Sequence, residues 1–128
     1  MQVGLLLRRP ETKGPVLTAA RTTGWFLIVV ITVLSLVPVW LRPETGVPHK
    51  LEHFAIFALT GFAFGLGYSR RLFLVTLSLV FFSGAIELAQ LLVPGRHARP
   101  MDFVVDAVAM CIGAVMGAVI AFQAWQSA

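Results

Sequence analysis

The chain has 128 residues, of which 58% are hydrophobic and 12% charged, with a formal net charge of +4 and a mean hydropathy of +0.86. A soluble domain carries roughly 45 to 50% apolar and roughly 25% charged residues. The composition of this chain therefore excludes an ordinary soluble domain and indicates a chain surrounded by lipid. The length fits one compact domain. A hydrocarbon core about 30 Å thick requires about 20 apolar residues in each spanning helix. Four such helices nearly use up the sequence.

The first predicted span covers residues 24–40, with Trp25 and Trp40 where aromatic belts lie at the two headgroup levels. The basic segment 1–21 precedes it, and we interpret this segment as a cytoplasmic tail and residues 22–128 as the transmembrane domain. Basic residues before an apolar run are also typical of a cleaved signal peptide. Because the run ends without a small-x-small cleavage site, we favour a retained span.

Three further spans are predicted at residues 51–68, 72–93 and 103–125. Pro43, Gly46 and Pro48 interrupt the chain before the second span and suit a helix start. The sequence therefore predicts an all-α polytopic membrane protein, a bundle of four transmembrane helices.

Basic residues predict the orientation of this bundle. With four spans, the N-terminal tail, the turn at residues 69–71 and the C-terminus share one side, which carries six Lys and Arg residues against four on the other. The positive-inside rule then places both termini in the cytoplasm. The polar residues that this orientation brings to the outer leaflet are His53, Glu87, Gln90, Arg96, Asp102 and Asp106.

Helical spacing places acids and small residues on one face of the fourth span. The residues that recur there at intervals of four, three, four and four are Asp102, Asp106, Ala109, Gly113 and Gly117. Small residues four apart let helices approach closely in lipid, so this face should pack inward. The second span repeats the pattern from His53 to Gly65, and the third combines small residues with Glu87 and Gln90. We therefore predict one polar cluster shared by three helices.

Each polar residue also has a structural alternative. Glu87 and Gln90 could serve only as hydrogen-bonding groups between helices, although acids within a membrane are functional by default. Asp102 could be the N-cap of the fourth helix, whereas Asp106 lies a full turn further in. Because Arg96 offers a planar fork suited to carboxylate or phosphate, we expect it to pair with Glu87 or with an acidic ligand.

Residues 49–53 read His-Lys-Leu-Glu-His, a formal match to the H-x-x-E-H pattern of zinc peptidases. The string is short enough to arise by chance, and His49 follows Pro48 in a predicted loop, so we predict no metal site. The sequence contains no G-x-S-x-G elbow, phosphate loop or dinucleotide fingerprint. We therefore expect no cofactor and no nucleic-acid partner.

A set of motifs in fixed order covers roughly residues 50–117. Its members are His53-Phe54 opening one helix, Glu87-x-x-Gln90 closing the next, Pro94-Gly95-Arg96, and Asp102 with Gly113 and Gly117 behind it. This set resembles the VanZ-like family of small bacterial membrane proteins. The chain differs in having His49, Phe57 and Asp106 where the family usually has Asp, Tyr and Asn. The extra carboxyl group of Asp106 favours a cation, a proton or an arginine partner.

The resemblance implies a multi-pass protein of the bacterial inner membrane. The name-giving member lowers susceptibility to teicoplanin, a glycopeptide with a lipid tail, but no reaction is established for the family. We expect the partners to be membrane lipids and a lipid-linked envelope precursor or a lipoglycopeptide.

Two functions fit the outer-leaflet cluster. In the first, the cluster binds an amphiphilic lipid or an envelope precursor, and Arg96 contacts its anionic part. In the second, the protein is an enzyme acting on a lipid-linked substrate, with His53 or Glu87 as general base and Asp102 or Asp106 as its partner. We favour binding because the cluster contains no recognisable nucleophile.

Overall fold

The computed structural model describes residues 13–42 and 44–127, and every regular element within these ranges is helical. The four long helices are α1 at Lys13–Leu36, α2 at His49–Gly67, α3 at Leu72–Gln90 and α4 at Pro100–Gln126. Single 3₁₀ turns at Val39–Leu41 and Ser69–Arg71 lie between helices. The predicted all-α class is confirmed for the described residues.

Three helical segments are long and apolar enough to cross a membrane, namely Gly14–Leu36, Ser69–Gln90 and Pro100–Gln126. Helix α2 is not among them, since its first turns contain His49, Lys50, Glu52 and His53. Large side chains such as Phe73 and Phe81 of α3 are 77% and 72% exposed. Water would penalise such a surface, whereas lipid accommodates it. The structure thus contains three candidate spans, and α2 as a fourth span remains a prediction.

Helix α1 is displaced toward the N-terminus relative to the predicted span. It begins at Lys13, so residues 13–21 of the expected tail are helical, while residues 1–12 lie outside the described part. It ends at Leu36, and Trp40 falls in the following 3₁₀ turn. The reason is Pro38, which has no N–H to continue the helical hydrogen bonds.

The connection from α3 to α4 contains the tight turn that the sequence predicts. Gly95 has φ +80°, and the N–H of Arg96 donates to the carbonyl of Val93 at 3.2 Å. Proline followed by a positive-φ glycine is typical of a type II turn. This turn ends the third helical segment before residue 93 and brings Arg96 back toward the bundle.

Helices α2 and α4 pack against each other most extensively. The four glycines at their crossing are Gly61, Gly65, Gly113 and Gly117. A Cβ atom at Gly61 would collide with the backbone of Met110. One at Gly117 would collide with the carbonyl of Phe62. The predicted close approach through small residues is therefore confirmed, and it places the N-terminal turns of the two helices side by side.

Candidate functional site

The buried polar cluster consists of His53 from α2, Glu87 and Gln90 from α3, and Asp106 from α4. Glu87, Gln90 and Asp106 are only 7%, 5% and 1% exposed, and the side chain of His53 is 13% exposed. Glu87 interacts electrostatically with both His53 and Asp106, and Gln90 lies one turn further along the same buried face of α3. The structure thus brings His53, Glu87 and Asp106 together, with Gln90 on the same helix face as Glu87.

His53 and Asp106 form the closest polar contact in this cluster. Nδ1 of His53 lies 3.5 Å from Oδ1 of Asp106. The ring stacks on Phe57, with centroids 5.8 Å apart, and lies against His49 at 4.3 Å. An imidazole held beside a carboxylate is suited to accept a proton or to bind a polar group.

Four oxygen and nitrogen atoms in the cluster make no hydrogen bond within the described residues. They are both carboxylate oxygens of Glu87, Nε2 of Gln90 and Oδ1 of Asp106. The His53 contact to Oδ1 falls outside hydrogen-bond geometry, and the interaction of the Arg99 backbone N–H with Glu87 does not meet strict hydrogen-bond geometry either. Each unpaired buried group costs about 1 to 3 kcal/mol. The cluster therefore retains unused capacity to accept and donate hydrogen bonds.

Asp102 lies at the edge of the cluster. Because α4 begins at Pro100 with Arg99 at the N-cap and no side-chain cap, the alternative that Asp102 caps this helix is wrong. Asp102 is the third helical residue, where the helix dipole stabilises a negative charge. It is half-buried and interacts electrostatically with Glu87 and His49.

Arg96 has a different partner from the one that the sequence suggests. Its Nη2 donates to the carbonyls of Leu34 and Val37 at 2.7 and 3.1 Å, and its Nε donates to Val37 at 3.3 Å. The expected direct pairing with Glu87 is therefore wrong: the guanidinium caps the free carbonyls at the end of α1. Burial, assisted by Arg42, lowers the pKa of Arg96, and Glu87 opposes this at longer range.

An open groove of about 490 Å³ lies between α1 and α2, beside the cluster. Its apolar walls include Leu27, Ile31, Leu34, Ala55, Ile56 and Leu59, and its polar end includes Ser35, Arg42, Thr45, Glu52 and His53. The volume lies within the roughly 300 to 1,000 Å³ of small-molecule sites. His53 lines the groove and also contacts Asp106 of the buried cluster, so the groove lies next to the cluster at this residue.

The polar end of the groove contains residues that the sequence reasoning missed. Nη2 of Arg42 lies 3.8 Å from Oε2 of Glu52, and Nη1 of Arg42 lies 3.3 Å from Nε2 of His49. Partial burial, followed by the charges of His53 and Arg42, lowers the pKa of His49. In the sequence, the only indication of the contact between Arg42 and Glu52 is that charged residues flank the loop that contains Pro48.

The His-Lys-Leu-Glu-His segment is helical, so His49 and His53 are held one turn apart, unlike the predicted loop position of His49. Glu52 of the same segment approaches Arg42. Within residues 13–42 and 44–127, no three His, Cys, Asp or Glu side chains are arranged to hold a metal ion.

Comparison of the chain with protein-family models, curated proteins and solved structures finds no match. Its function is therefore inferred from the site itself.

Proposed function

We propose that this chain is a VanZ-like multi-pass protein of the bacterial inner membrane that binds an amphiphile at the outer leaflet. The proposed topology has four transmembrane helices, with α2 as the additional span and both termini in the cytoplasm. The apolar tail of the ligand occupies the groove between α1 and α2, and its headgroup occupies the polar end.

The groove is the observation that supports this proposal. On α1 its lining extends from Leu27 to Ser35, eight residues further along. At 1.5 Å per residue this is about 12 Å, close to half of a hydrocarbon core about 30 Å thick. Apolar walls of this length, closed by charged side chains at one end, match the division of an amphiphile into tail and headgroup.

The polar end favours a headgroup with both an anionic and a hydrogen-bond-donating part. Arg42 provides a guanidinium suited to phosphate, while Glu52 and His53 offer acceptors for amino or hydroxyl groups. The 3.8 Å separation of Arg42 and Glu52 is long for an ion pair, so a ligand would displace little. A phospholipid, a lipid-linked envelope precursor and a lipoglycopeptide such as teicoplanin all have an apolar tail and a polar head.

Filling the groove tests this proposal. Ala55 is exposed and lines the groove, so Ala55→Trp should block the tail. Native mass spectrometry of the purified protein, titrated with lysophosphatidylethanolamine, should show binding weakened by roughly tenfold or more, because the tail loses its buried apolar area.

Ala85→Trp is the matched control, since Ala85 is an exposed alanine of α3 at a similar depth and outside the groove. It should bind the lysolipid as the unmodified protein does. Unchanged binding by Ala55→Trp, or equal loss in both variants, would contradict the proposal.

The contact between His53 and Asp106 supports a second candidate, an enzyme that acts on a lipid-linked substrate by acid–base catalysis. The imidazole lines the groove and lies 3.5 Å from the carboxylate, so a small shift on substrate binding would complete the hydrogen bond that orients a general base. Mass analysis of amphiphiles that copurify with the protein and with His53→Ala distinguishes the two functions. Catalysis predicts a substrate of different mass on the variant, whereas simple binding predicts the same molecules on both.

A further inference from the structure

A second groove, of about 550 Å³, lies at the opposite end of the bundle from the polar cluster. It runs between the start of α3 and the last turns of α4. Val115, Val119 and Phe122 contribute to its apolar wall, and Ser69, Arg70 and Trp125 lie at its outer end. This groove is separate from the site between α1 and α2 and shares no residue with it.

The groove has the length of one membrane leaflet. Val115 and Trp125 are ten residues apart on α4, which corresponds to about 15 Å of helix and half of a hydrocarbon core about 30 Å thick. Trp125 marks the headgroup level, where tryptophan is enriched. An acyl chain that enters beside Trp125 would reach the mid-membrane region near Val115.

The mouth of the groove carries positive charge. The guanidinium of Arg70 lies over the ring of Trp125, 4.9 Å from its centroid, and Arg71 beside it is exposed. Arg21, at the same end, instead donates to the carbonyl of Gly67 at 2.8 Å. The acidic residues that the structure describes are Glu44, Glu52, Glu87, Asp102 and Asp106, all at or near the opposite end. The positive charge at this mouth therefore has no carboxylate nearby within the described ranges.

We propose that this groove binds one anionic phospholipid, with its phosphate on Arg70 and one acyl chain along Val115, Val119 and Phe122. The Arg70 and Trp125 contact keeps the guanidinium at the headgroup level, where it can reach a phosphate without burying its charge. This lipid site does not depend on the function proposed for the groove between α1 and α2.

Native mass spectrometry of the full-length protein in detergent tests this site, with dioleoylphosphatidylglycerol as the probe and dioleoylphosphatidylcholine as the neutral comparison. The protein should retain one phosphatidylglycerol in preference to phosphatidylcholine. Arg70→Gln should weaken phosphatidylglycerol binding roughly fivefold, the effect of one basic residue beside an anionic lipid. Arg70→Lys should remain within about twofold of the unmodified protein, because the charge is kept.

Arg71→Gln is the matched control, since it removes the same charge from the neighbouring residue, which does not line the groove. It should leave binding within about twofold of the unmodified protein, because in the proposed pose the phosphate lies on Arg70 and not on Arg71. Val119→Trp fills the groove at a residue that is 47% exposed, and it should reduce binding although Arg70 is intact. Soluble glycerol 3-phosphate should not displace the lipid at equal concentration.

Three results would overturn the proposal. Equal loss in Arg70→Gln and Arg71→Gln would indicate general attraction to positive charge. Full binding by Val119→Trp, or displacement of the lipid by glycerol 3-phosphate, would show that no acyl chain binds in the groove. Equal retention of phosphatidylglycerol and phosphatidylcholine would show that the groove does not select an anionic headgroup.

Discussion

Arg96 stabilises the end of α1 and leaves the buried carboxylates of Glu87 and Asp106 without a guanidinium partner. Its three hydrogen bonds, at 2.7 to 3.3 Å, all go to carbonyls of Leu34 and Val37. In the described cluster, His53 is the basic side chain in contact with Asp106. Within the described residues, the buried acids of the cluster therefore have His53, and not Arg96, as their basic neighbour.

Replacement of Arg96 tests this assignment. Arg96→Gln should lower the free energy of unfolding in detergent by about 1.5 to 3 kcal/mol, because charged donors to the α1 carbonyls are lost. Arg96→Lys should recover part of that loss. In a double-mutant cycle, Arg96→Gln and Asp106→Asn should be additive within about 0.3 to 0.5 kcal/mol. A larger coupling would show that Arg96 compensates the buried acid after all.

His49 should make stability depend on pH. It precedes the predicted span, and the folded protein holds its pKa below the ordinary value of 6.5, through partial desolvation and then the charges of His53 and Arg42. The unfolded chain therefore binds the proton more readily, so acidification favours unfolding. The neutral ring makes its full contribution to the free energy of unfolding above about pH 6.5. This contribution is lost as the pH falls through the pKa of His49 in the folded protein.

The melting temperature in detergent, compared between the unmodified protein and His49→Gln, isolates this effect from other histidines. The unmodified protein should lose slightly more stability than the variant on acidification, and the difference should be small because the ring remains exposed. A relative gain in stability at acidic pH would contradict the assigned direction.

At the scale of elements, the crossing of α2 and α4 determines where the polar residues meet. Glycines on both helices bring the two backbones into contact, and this contact fixes the register of one helix against the other. His53 and Asp106, about two turns from Gly61 and Gly113 respectively, are consequently placed side by side.

Gly117→Ala should destabilise the bundle, because even one methyl group would meet the backbone of Phe62 in α2. We expect a loss of about 1 to 3 kcal/mol in unfolding free energy, the usual cost of overpacking. Gly84→Ala is the matched control: its Cβ would meet only the ring edge of Phe103, at 3.3 Å. This variant should be neutral or stabilising, because alanine favours a helix over glycine. Equal tolerance of both changes would contradict the tight α2 and α4 contact.

At the scale of the whole molecule, two grooves lie at opposite ends of the bundle, and each is about one leaflet long. The groove between α1 and α2 ends among charges of both signs, whereas the groove between α3 and α4 ends at Arg70. In the proposed topology the two grooves face different leaflets. Whether α2 crosses the membrane decides this arrangement, because α2 connects the two ends.

Reporter fusions test the topology directly. Fusions near Gly46 and Ala98 should report the outside, and those after Ser69 and Ala128 should report the cytoplasm, as the six-to-four distribution of basic residues predicts. Identical locations for Gly46 and Ser69 would show that α2 does not span. Cytoplasmic labelling at Ala98 would instead reverse the placement of the polar cluster.

The sequence by itself determined the apolar helices, the turn at Pro94-Gly95 and the faces that combine small residues with His53 and Asp106. These features depend on spacing within one segment, where helical geometry relates sequence position to direction. The sequence predicts the ends of the helices less accurately. Helix α1 ends before Pro38, earlier than the apolar run suggests, and the N-cap of α4 is Arg99 and not Asp102.

Only the tertiary structure decided the partner of Arg96, the contact of Arg42 with Glu52 and the groove between α1 and α2. Arg96 reaches carbonyls 59 and 62 positions away, and no local pattern indicates which helix end lies within its reach. The groove likewise lies between two helices, α1 and α2, so it depends on how the bundle is assembled. Packing between helices that are distant in sequence determines which side chains meet, and the pattern within a single helix does not specify that packing.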